Sequence, residues 1–373
     1  MNEAIALLET IPFSQELARS YSHKSRLHMV AGQYDETIRW GMRAIELAER
    51  MEDIETLAHA LCNIGAVEMT DQPVEGQAKL RRSLQLSLEY GLHNHAARAF
   101  ANLAGGMLTL RDYQACLRYL NEGIVYCAQN DIDYWRLDLL GVRARVHFKQ
   151  GQWNNAEQDI RTAQEFWGTM ETRSVVEPVL LHLQVRRGDP ISPEAIEAGR
   201  ELARTTIMYD VNHALAVLFA EAAWLRDDLK QCLSEVGPIF EIANQNAEPH
   251  RIGELAYWMW RAGAITAPPV NAAEPFAAQI AGNWRESAAL WEKYGCPYEQ
   301  AMALIDGDET AQLAALKIFE RLGARPIIEK LKGQMRAQGI RIPRGPRPAT
   351  RENPSGLTAR EMEVVKLITQ GKS

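Results

Sequence analysis

The chain has 373 residues, of which 46% are hydrophobic and 24% are charged, and its formal net charge is −7. This composition excludes disordered, collagen-like and disulfide-rich miniproteins, and no apolar run approaches the ~20 residues of a membrane-spanning helix. The five cysteines are odd in number, far apart and without a CxxC pair, which argues against a disulfide framework or a zinc site. We expect a soluble cytoplasmic protein with no signal peptide and no membrane association.

The predicted elements over residues 1–340 are helices. In residues 35–50, for example, Ile38, Met42 and Ile45 form an apolar stripe at helical spacing, and a second apolar stripe runs beside it. A helix that is apolar on two sides needs neighbours on both flanks, and stacked helical hairpins provide them. No segment has the alternation or the βαβ rhythm that predicts a sheet.

The hairpins repeat along the chain. Three motifs place an aromatic residue at the start of a second helix: Gly32-Gln-Tyr34, Arg111-Asp-Tyr113 and Gly151-Gln-Trp153. Small residues recur nine positions before each aromatic, and three and ten positions after it: Ser25, Thr37 and Ala44, then Ala104, Cys116 and Gly123, then Ala144, Ala156 and Ala163. The pattern resembles the tetratricopeptide repeat, stretched from its usual length of about 34 residues. It predicts an all-α, tetratricopeptide-like helical-repeat solenoid with a period of about 40 residues.

Prolines indicate the domain boundaries. Three prolines within residues 266–275 cannot continue a helix, because each lacks a backbone N–H and restricts the residue before it. We therefore expect tetratricopeptide-like repeats over residues 1–265 and a shorter helical block over 276–339. Residues 340–356 are rich in proline and predict a stiff basic linker, which leads to one isolated helix in residues 357–373.

The charge is distributed unevenly along the chain. Residues 321–351 carry nine basic side chains and one acidic side chain, whereas residues 1–320 carry a net charge of −15. An acidic body joined to a basic arm is typical of an end that faces nucleic acid, and a solvated arginine-rich linker is the alternative. The linker arginines are Arg341, Arg344, Arg347 and Arg351.

The final helix has a recognisable start. Thr358 and Glu361 have the T-x-x-E spacing of a capping box, in which each side chain accepts a hydrogen bond from the backbone of the other residue. Met362, Val365 and Ile368 then fall on one face of the helix. A helix of about 12 residues is marginal alone in water, so this face requires a packing partner.

The same stretch, Leu357-Thr358-x-Arg360-Glu361-x-Glu363-Val364-Val365-x-Leu367 followed by Gly371-x-Ser373, resembles the opening of the LuxR-type helix-turn-helix domain. Residues 290–301, 319–325 and 343–348 are similar to the segment before that domain in large bacterial regulators of the same class. The resemblance implies a transcriptional regulator with a nucleotide-binding module, a helical-repeat sensor and a DNA-binding domain. It also implies DNA phosphate contacts from Arg360, Lys366, Lys372 and Ser373.

The chain departs from that family in two ways. It has no G-x-x-x-x-G-K-[ST] motif, so the nucleotide-binding module is missing, and it lacks the second helix that reads base edges in the major groove. We therefore expect sensor and scaffold behaviour from this chain, without sequence-specific DNA binding. The helical repeats would bind an effector small molecule or a partner protein, and the complete regulator would bind DNA. Both a monomer and a homo-oligomer are compatible with the sequence.

The sequence contains no recognisable catalytic constellation, since the motifs H-E-x-x-H, G-x-S-x-G and G-x-G-x-x-G do not occur. His93 and His95 are alternate residues that do not share a helix face, so we expect them to be solvated and not bound to metal. We expect a protein that is not an enzyme and needs no cofactor or metal. The alternative function is a tetratricopeptide-like protein–protein adaptor with no role at DNA.

Overall fold

The computed structural model describes residues 2–11, 13–165, 170–206, 208–245, 249–342 and 359–369, and these residues form helices and no strand. The first ten helices are α1 (Asn2–Leu8), α2 (Gln15–Val30), α3 (Tyr34–Arg50), α4 (Ile54–Asp71), α5 (Pro73–Glu89), α6 (His93–Thr109), α7 (Tyr113–Gln129), α8 (Asp133–Lys149), α9 (Trp153–Gln164) and α10 (Met170–Arg187). The others are α11 (Pro193–Thr205), α12 (Tyr209–Leu225), α13 (Leu229–Gln245), α14 (Pro249–Arg261), α15 (Phe276–Ile280), α16 (Trp284–Tyr294), α17 (Pro297–Leu304), α18 (Glu309–Leu322), α19 (Arg325–Ala337) and α20 (Ala359–Thr369). The predicted all-α helical-repeat fold is confirmed.

The helices alternate in two series. The helices α2, α4, α6 and α8 begin at residues 15, 54, 93 and 133, and α3, α5, α7 and α9 begin at residues 34, 73, 113 and 153. Each series therefore advances by 39 or 40 residues per helix pair, as the sequence predicts. Pro73 replaces the aromatic residue in the second pair and is the first residue of α5, a position where proline is tolerated because that N–H has no intrahelical partner.

The aromatic motifs lie at the turns between paired helices. Tyr34, Tyr113 and Trp153 are the first residues of α3, α7 and α9. Two positions before the helix, Gly32 and Gly151 have a left-handed backbone with φ of 71°. Glycine adopts this conformation without the steric penalty of a Cβ atom, so the G-Q-aromatic sequence predicts both the turn and the helix start.

Small residues allow the two helices of a pair to cross closely. All the predicted small positions are buried: Ser25, Thr37, Ala44, Ala104, Cys116, Gly123, Ala144, Ala156 and Ala163. At the first crossing, Ser25 Oγ donates a hydrogen bond to the carbonyl oxygen of Thr37 at 2.8 Å. At the second crossing, a Cβ atom added to Gly76 would lie 2.8 Å from the carbonyl oxygen of Gly65. The helix backbones are in contact there, and a larger residue would force them apart.

One helix of each pair belongs to an inner layer. The helices α2, α4, α6, α8, α10, α12 and α14 pack against one another in that order, and the odd-numbered helices from α3 to α13 each pack against the even-numbered helices on either side. The inner layer therefore presents a continuous surface that is built from consecutive repeats. This surface holds the cavities described below.

Residues 1–329 form one compact unit, and residues 330–373 form a second. The prolines of residues 266–275 interrupt the helical pattern, as the sequence predicts, and leave a gap between α14 and α15. The predicted boundary between residues 1–265 and the helical block 276–339 does not separate compact units, because α15 to α18 belong to the same unit as the repeats.

The physical reason for this single unit is a set of buried polar contacts across the proline segment. Tyr298 Oη donates a hydrogen bond to Glu221 Oε1 at 2.6 Å, and the Arg186 guanidinium donates to Glu299 Oε1 at 3.2 Å. These partners are 77 and 113 residues apart in sequence. Buried charges need their partners to offset the cost of desolvation, so α17 is held against α10 and α12.

The second unit contains α20, which lies within the stretch that the sequence predicts to be helical. Glu361 is exposed on α20, whereas Thr358 of the predicted capping box lies outside the described residues. No helix in the described part of the chain is both long enough and apolar enough to cross a membrane.

Candidate ligand-binding groove

The inner layer contains a groove, which we call the inner groove. It has a volume of about 320 Å³ and is lined by residues of α2, α4, α6, α8, α10, α12 and α14. It continues into a pocket of about 130 Å³ between α6 and α14, and the two spaces share side chains such as Arg145, Val179 and Ala214. Apolar residues form much of the wall, among them Met29, Val67, Met69, Val142, Val179 and Val211.

Four arginines of the inner groove form no ion pair with a carboxylate of the described residues: Arg26, Arg98, Arg111 and Arg145. The Nε atom of Arg145 is buried and has no hydrogen-bond partner in the described part of the chain. Other groove cations are neutralised, because Arg251 contacts Asp210 at 2.5 Å and Lys149 contacts Glu254 at 2.8 Å. Arg98 is buried without an ion-pair partner, which is costly. Arg26 is exposed, and Arg111 and Arg145 interact with Glu254 and Asp138 at longer range. The arginine-rich wall therefore favours an anionic ligand.

Arg111 occupies a strained position. It stands where the first and fourth pairs have Gly32 and Gly151, and its backbone is left-handed with φ of 60°. For a residue with a Cβ atom this conformation costs roughly 1–2 kcal/mol. Its Nη1 donates to Tyr113 Oη at 3.1 Å, while its Nε is buried without a partner among the described residues. Glu52, Asp131 and Asp227 adopt the same conformation in other turns between helices, so the backbone of Arg111 is a feature of the turn, while its side chain lines the pocket.

The arginines supply the positive charge of the groove at neutral pH, because its histidines are neutral. Burial lowers the pKa of His213 to about 4, against the opposing effect of Glu254. Burial together with the nearby Arg111 likewise lowers the pKa of His250 to about 4. Burial raises the pKa of Asp138 to about 6, although Arg145 opposes that shift.

A buried polar cluster supports the inner end of the groove. Glu221 is completely buried, and its Oε2 lies 2.6 Å from His182 Nε2. Its carboxylate also accepts hydrogen bonds from Arg186 Nε at 3.1 Å and from Tyr298 Oη at 2.6 Å. Because every oxygen of Glu221 is satisfied within the protein, we assign this cluster a structural role in fixing α10 and α12, which line the groove.

A second cavity, which we call the histidine cavity, has a volume of about 490 Å³ and is lined by residues of α2, α4, α6 and α8. It contains His23, His59 and His95, whose rings lie in contact. His93 is exposed, as the sequence predicts. The expectation that His95 is solvated is wrong, because His95 is half-buried beside His59, a contact between two repeats that the local sequence does not show.

No three His, Cys, Asp or Glu side chains in the described residues are grouped so that they could hold a metal ion. The five cysteines are all free and buried: Cys62, Cys116, Cys127, Cys232 and Cys296. Burial raises the pKa of Cys116 and Cys232 to about 12, so these thiols are protonated at neutral pH and poorly nucleophilic.

The structure describes two of the residues that the resemblance assigns to DNA contact, Arg360 and Lys366. Arg360 and Lys366 are exposed on α20, and Arg341 is exposed after α19. Outside the described residues lie the linker residues Arg344, Arg347 and Arg351, the predicted cap residue Thr358, and the predicted DNA contacts Lys372 and Ser373.

Sequence reasoning missed the groove arginines and the histidine row. Arg145 occupies an unremarkable polar position of α8, so the local pattern predicts only a solvated face. The histidines did carry a signal, because His23, His59 and His95 recur at a spacing of 36 residues. That spacing is close to the repeat period and would have indicated that the three side chains approach one another.

No family model matches the chain, and no curated protein matches it. Two solved structures are similar to it at low level. One is a circular tandem repeat protein with novel repeat topology and enhanced subunit contact surfaces, 13% identical, with 87% of this chain and 94% of that chain covered and a TM-score of 0.26. The other is the TPR domain of P58(IPK), 12% identical, with 90% and 92% covered and a TM-score of 0.21. Neither likeness carries an argument at these TM-scores, and the helical-repeat class rests on the helices of this chain.

Proposed function

We propose that this chain is a helical-repeat adaptor whose inner groove binds an extended, acidic segment of a partner protein. The observation that carries the proposal is the set of groove arginines that form no ion pair with a described carboxylate: Arg26, Arg98, Arg111 and Arg145. They line a groove in a body whose residues 1–320 carry a net charge of −15. The role is binding, without catalysis.

The spread of the lining residues over consecutive repeats supports an extended ligand. The lining residues come from seven inner helices, α2 to α14, so a ligand that fills the groove contacts consecutive repeats. A peptide in an extended conformation advances about 3.3 Å per residue and suits such a groove better than a compact metabolite. The apolar wall would accept aliphatic side chains between the charged ones.

The charge of the groove supports an acidic ligand. Arginine donates two parallel hydrogen bonds to a carboxylate, which gives both affinity and orientation. A glutamate or aspartate placed beside Arg145 would accept hydrogen bonds from the guanidinium, which lines the groove. Complementary charge also favours correct partners and rejects basic ones.

A library of random peptides, selected on the full chain, tests the proposal. We expect the bound peptides to be enriched in Asp and Glu, and to compete with one another for one site. Arg145→Gln should weaken their binding ~10-fold or more, because a hydrogen bond to a charged group contributes roughly 1.5–3 kcal/mol. Arg161→Gln is the matched control, since Arg161 is exposed on α9 and its side chain is 69% accessible.

Circular dichroism spectra establish that both variants keep the helical fold. Enrichment of neutral or basic peptides would reject the acidic partner. Equal affinities of the Arg145→Gln and Arg161→Gln variants would remove the inner groove from the interaction.

A second candidate function is the DNA-binding regulator that the LuxR-type resemblance implies. The observation that favours it is the apolar face of α20, where Val364, Val365, Leu367 and Ile368 are 42–66% exposed. A helix of this length is marginal in water without tertiary packing, and the other helices of a helix-turn-helix domain would cover that face. In this reading Arg360 and Lys366 contact DNA phosphates.

Mobility-shift assays with fragments of genomic DNA distinguish this candidate from the adaptor. They compare this chain with a version that includes any residues encoded after Ser373 in the natural gene. We expect this chain to show at most a nonspecific shift that weakens steeply with salt. A specific shift with the longer version alone supports the regulator, and the absence of any specific shift with both versions rejects it.

A further inference from the structure

The histidine cavity contains two parallel rows of side chains. His23, His59 and His95 come from α2, α4 and α6, and consecutive ring centroids are 5.2 and 5.5 Å apart. These helices begin 39 residues apart, whereas the histidines are 36 residues apart. Each histidine therefore lies about one helical turn closer to the start of its helix than the histidine of the preceding helix does. The row of rings consequently runs diagonally across the three helices.

The second row consists of arginines. Arg26 and Arg98 lie three residues after His23 and His95, and are therefore on the same helix faces. Arg26 is exposed, whereas Arg98 is only 5% exposed. One terminal nitrogen of Arg98 donates to Asn63 Oδ1, and the other, Nη1, is buried with no hydrogen-bond partner among the described residues.

The cavity contains more donors than acceptors. Ser22 Oγ lies 2.6 Å from His59 Nδ1, which fixes the orientation of that ring. His95 Nε2 lies 3.2 Å from Glu55 Oε1, and Glu55 is the one carboxylate among the residues that line the cavity. An acceptor that carries several oxygens would satisfy the Arg98 nitrogen and the remaining histidine nitrogens together.

The side chains around the cavity disfavour additional positive charge. Burial lowers the pKa of His59 to about 2, and the groups that face it from α2 and α6 lower it further, namely Arg98, His95, His23 and Arg26. Burial also lowers the pKa of His23 and of His95. A dianion between these groups would be attracted by the two arginines and would offset their effect on the imidazole rings.

We propose that the histidine cavity binds a small aromatic phosphate monoester, with its phosphoryl group between the histidine row and the arginine row and its ring toward Tyr134 and Trp135. This site shares Arg26 and Arg98 with the inner groove, whereas the three histidines line the histidine cavity and do not line the groove.

A phosphate fits this site better than a carboxylate does. It presents three oxygens and a charge close to −2 at neutral pH, which matches donors that come from α2, α4 and α6. A carboxylate would be satisfied by one arginine and would leave the other donors unpaired. The volume of about 490 Å³ exceeds the space that a phosphoryl group alone needs. Tyr134 and Trp135 line the remaining part of the cavity, and their rings are 5.1 Å apart.

Isothermal titration calorimetry with phenyl phosphate at pH 7.5 tests the proposal. We expect phenyl phosphate to bind ~10-fold or more tightly than benzoate. Inorganic phosphate should bind more weakly than phenyl phosphate, because it does not contact the aromatic side chains. Undetectable binding of phenyl phosphate, or equal affinity for benzoate, overturns the proposal.

Variants locate the site. Arg26→Gln and His23→Gln replace exposed side chains and should each weaken phenyl phosphate ~10-fold, whereas Arg161→Gln and Arg145→Gln should not change its affinity. Arg98→Gln should abolish binding while circular dichroism shows a folded protein. If phenyl phosphate binds the Arg26→Gln and His23→Gln variants as tightly as it binds the native protein, its site lies elsewhere and the proposal is overturned.

A phosphotyrosine peptide distinguishes the source of the phosphate group. If it binds no more tightly than phenyl phosphate, the small-molecule assignment stands; if it binds ~10-fold more tightly, that assignment is overturned in favour of a phosphorylated protein. Failure of the acidic-peptide selection leaves the phenyl phosphate result unaffected, because Arg145 lines the inner groove and does not line the histidine cavity.

Discussion

Replacing Glu221 by glutamine tests whether the buried cluster holds the helices on both sides of the proline segment together. Glutamine keeps the volume of the side chain but removes its charge and turns an acceptor into a donor. In the native protein Glu221 is completely buried and is contacted by His182, Arg186 and Tyr298 at 2.6–3.2 Å. The variant leaves Arg186 with Glu299 as its remaining ion-pair partner in the cluster.

The expected loss of stability follows from the burial of the pair. The Arg186 side chain is 4% exposed, and the Glu221 side chain is not exposed at all. Solvent therefore does not screen the attraction between the two charges as it does for a surface pair. Removing one partner of such a pair costs about 3–5 kcal/mol. The contact between Arg186 and Glu299 places the expected loss near the lower end of that range.

The effect should depend on pH in a defined way. Burial alone would raise the pKa of Glu221, but Arg186 and His182 outweigh burial and hold its pKa well below the usual range. A carboxylate with a depressed pKa in the folded state contributes stability above its unfolded pKa of about 4.3, and this stability is lost as the pH falls toward the folded value. The difference between the native protein and Glu221→Gln should thus be constant from about pH 5.5 to 8, and should shrink below about pH 4.

Urea unfolding followed by circular dichroism measures the difference at pH 7. The control is Glu46→Gln, because the Glu46 side chain is 63% exposed and pairs with Arg50 on the surface of α3. A surface pair of this kind contributes at most about 0.5 kcal/mol. Equal urea midpoints for Glu221→Gln and Glu46→Gln would refute the assignment of the cluster as a structural link.

Three further predictions follow from the described residues. Gly76→Ala should destabilise the protein by about 2 kcal/mol or more, because its Cβ atom would lie within 3 Å of three backbone atoms of α4. Gly105→Ala is the control, since its Cβ atom would meet nothing within 4 Å and should stabilise the protein slightly through helix propensity. Thermal unfolding measures both variants, and equal midpoints would contradict the prediction. His213→Gln should reduce the loss of stability between pH 7 and 5. Burial lowers the pKa of His213 to about 4, against ~6.5 in the unfolded chain, so the native protein loses about 2 kcal/mol of its free energy of unfolding by pH 5. An unchanged dependence of stability on pH would contradict this. Arg111→Gly should leave the unfolding midpoint almost unchanged, because relief of backbone strain offsets the lost side-chain contacts. The same variant should bind acidic peptides more weakly. Unaltered peptide affinity would show that Arg111 plays no part in binding.

The sequence by itself determined the repeat architecture. The turn before α3 and α9 follows from Gly32 and Gly151, and the close crossing of paired helices follows from small residues such as Ser25 and Thr37. These signals are local, because a turn, a helix start and the face of a helix depend on residues within about ten positions. The order of helices and their period of 39 or 40 residues could therefore be predicted without coordinates.

The tertiary structure alone decided which polar faces become binding surfaces. Arg145 and His59 occupy polar positions that look solvated in the sequence, yet they line cavities because the even-numbered helices pack side by side. The inclusion of α17 in the same unit as the repeats depends on Glu221 and Tyr298, which are 77 residues apart. Burial and charge pairing are properties of the assembled layers, since the cost of an unpaired arginine depends on neighbours contributed by other repeats.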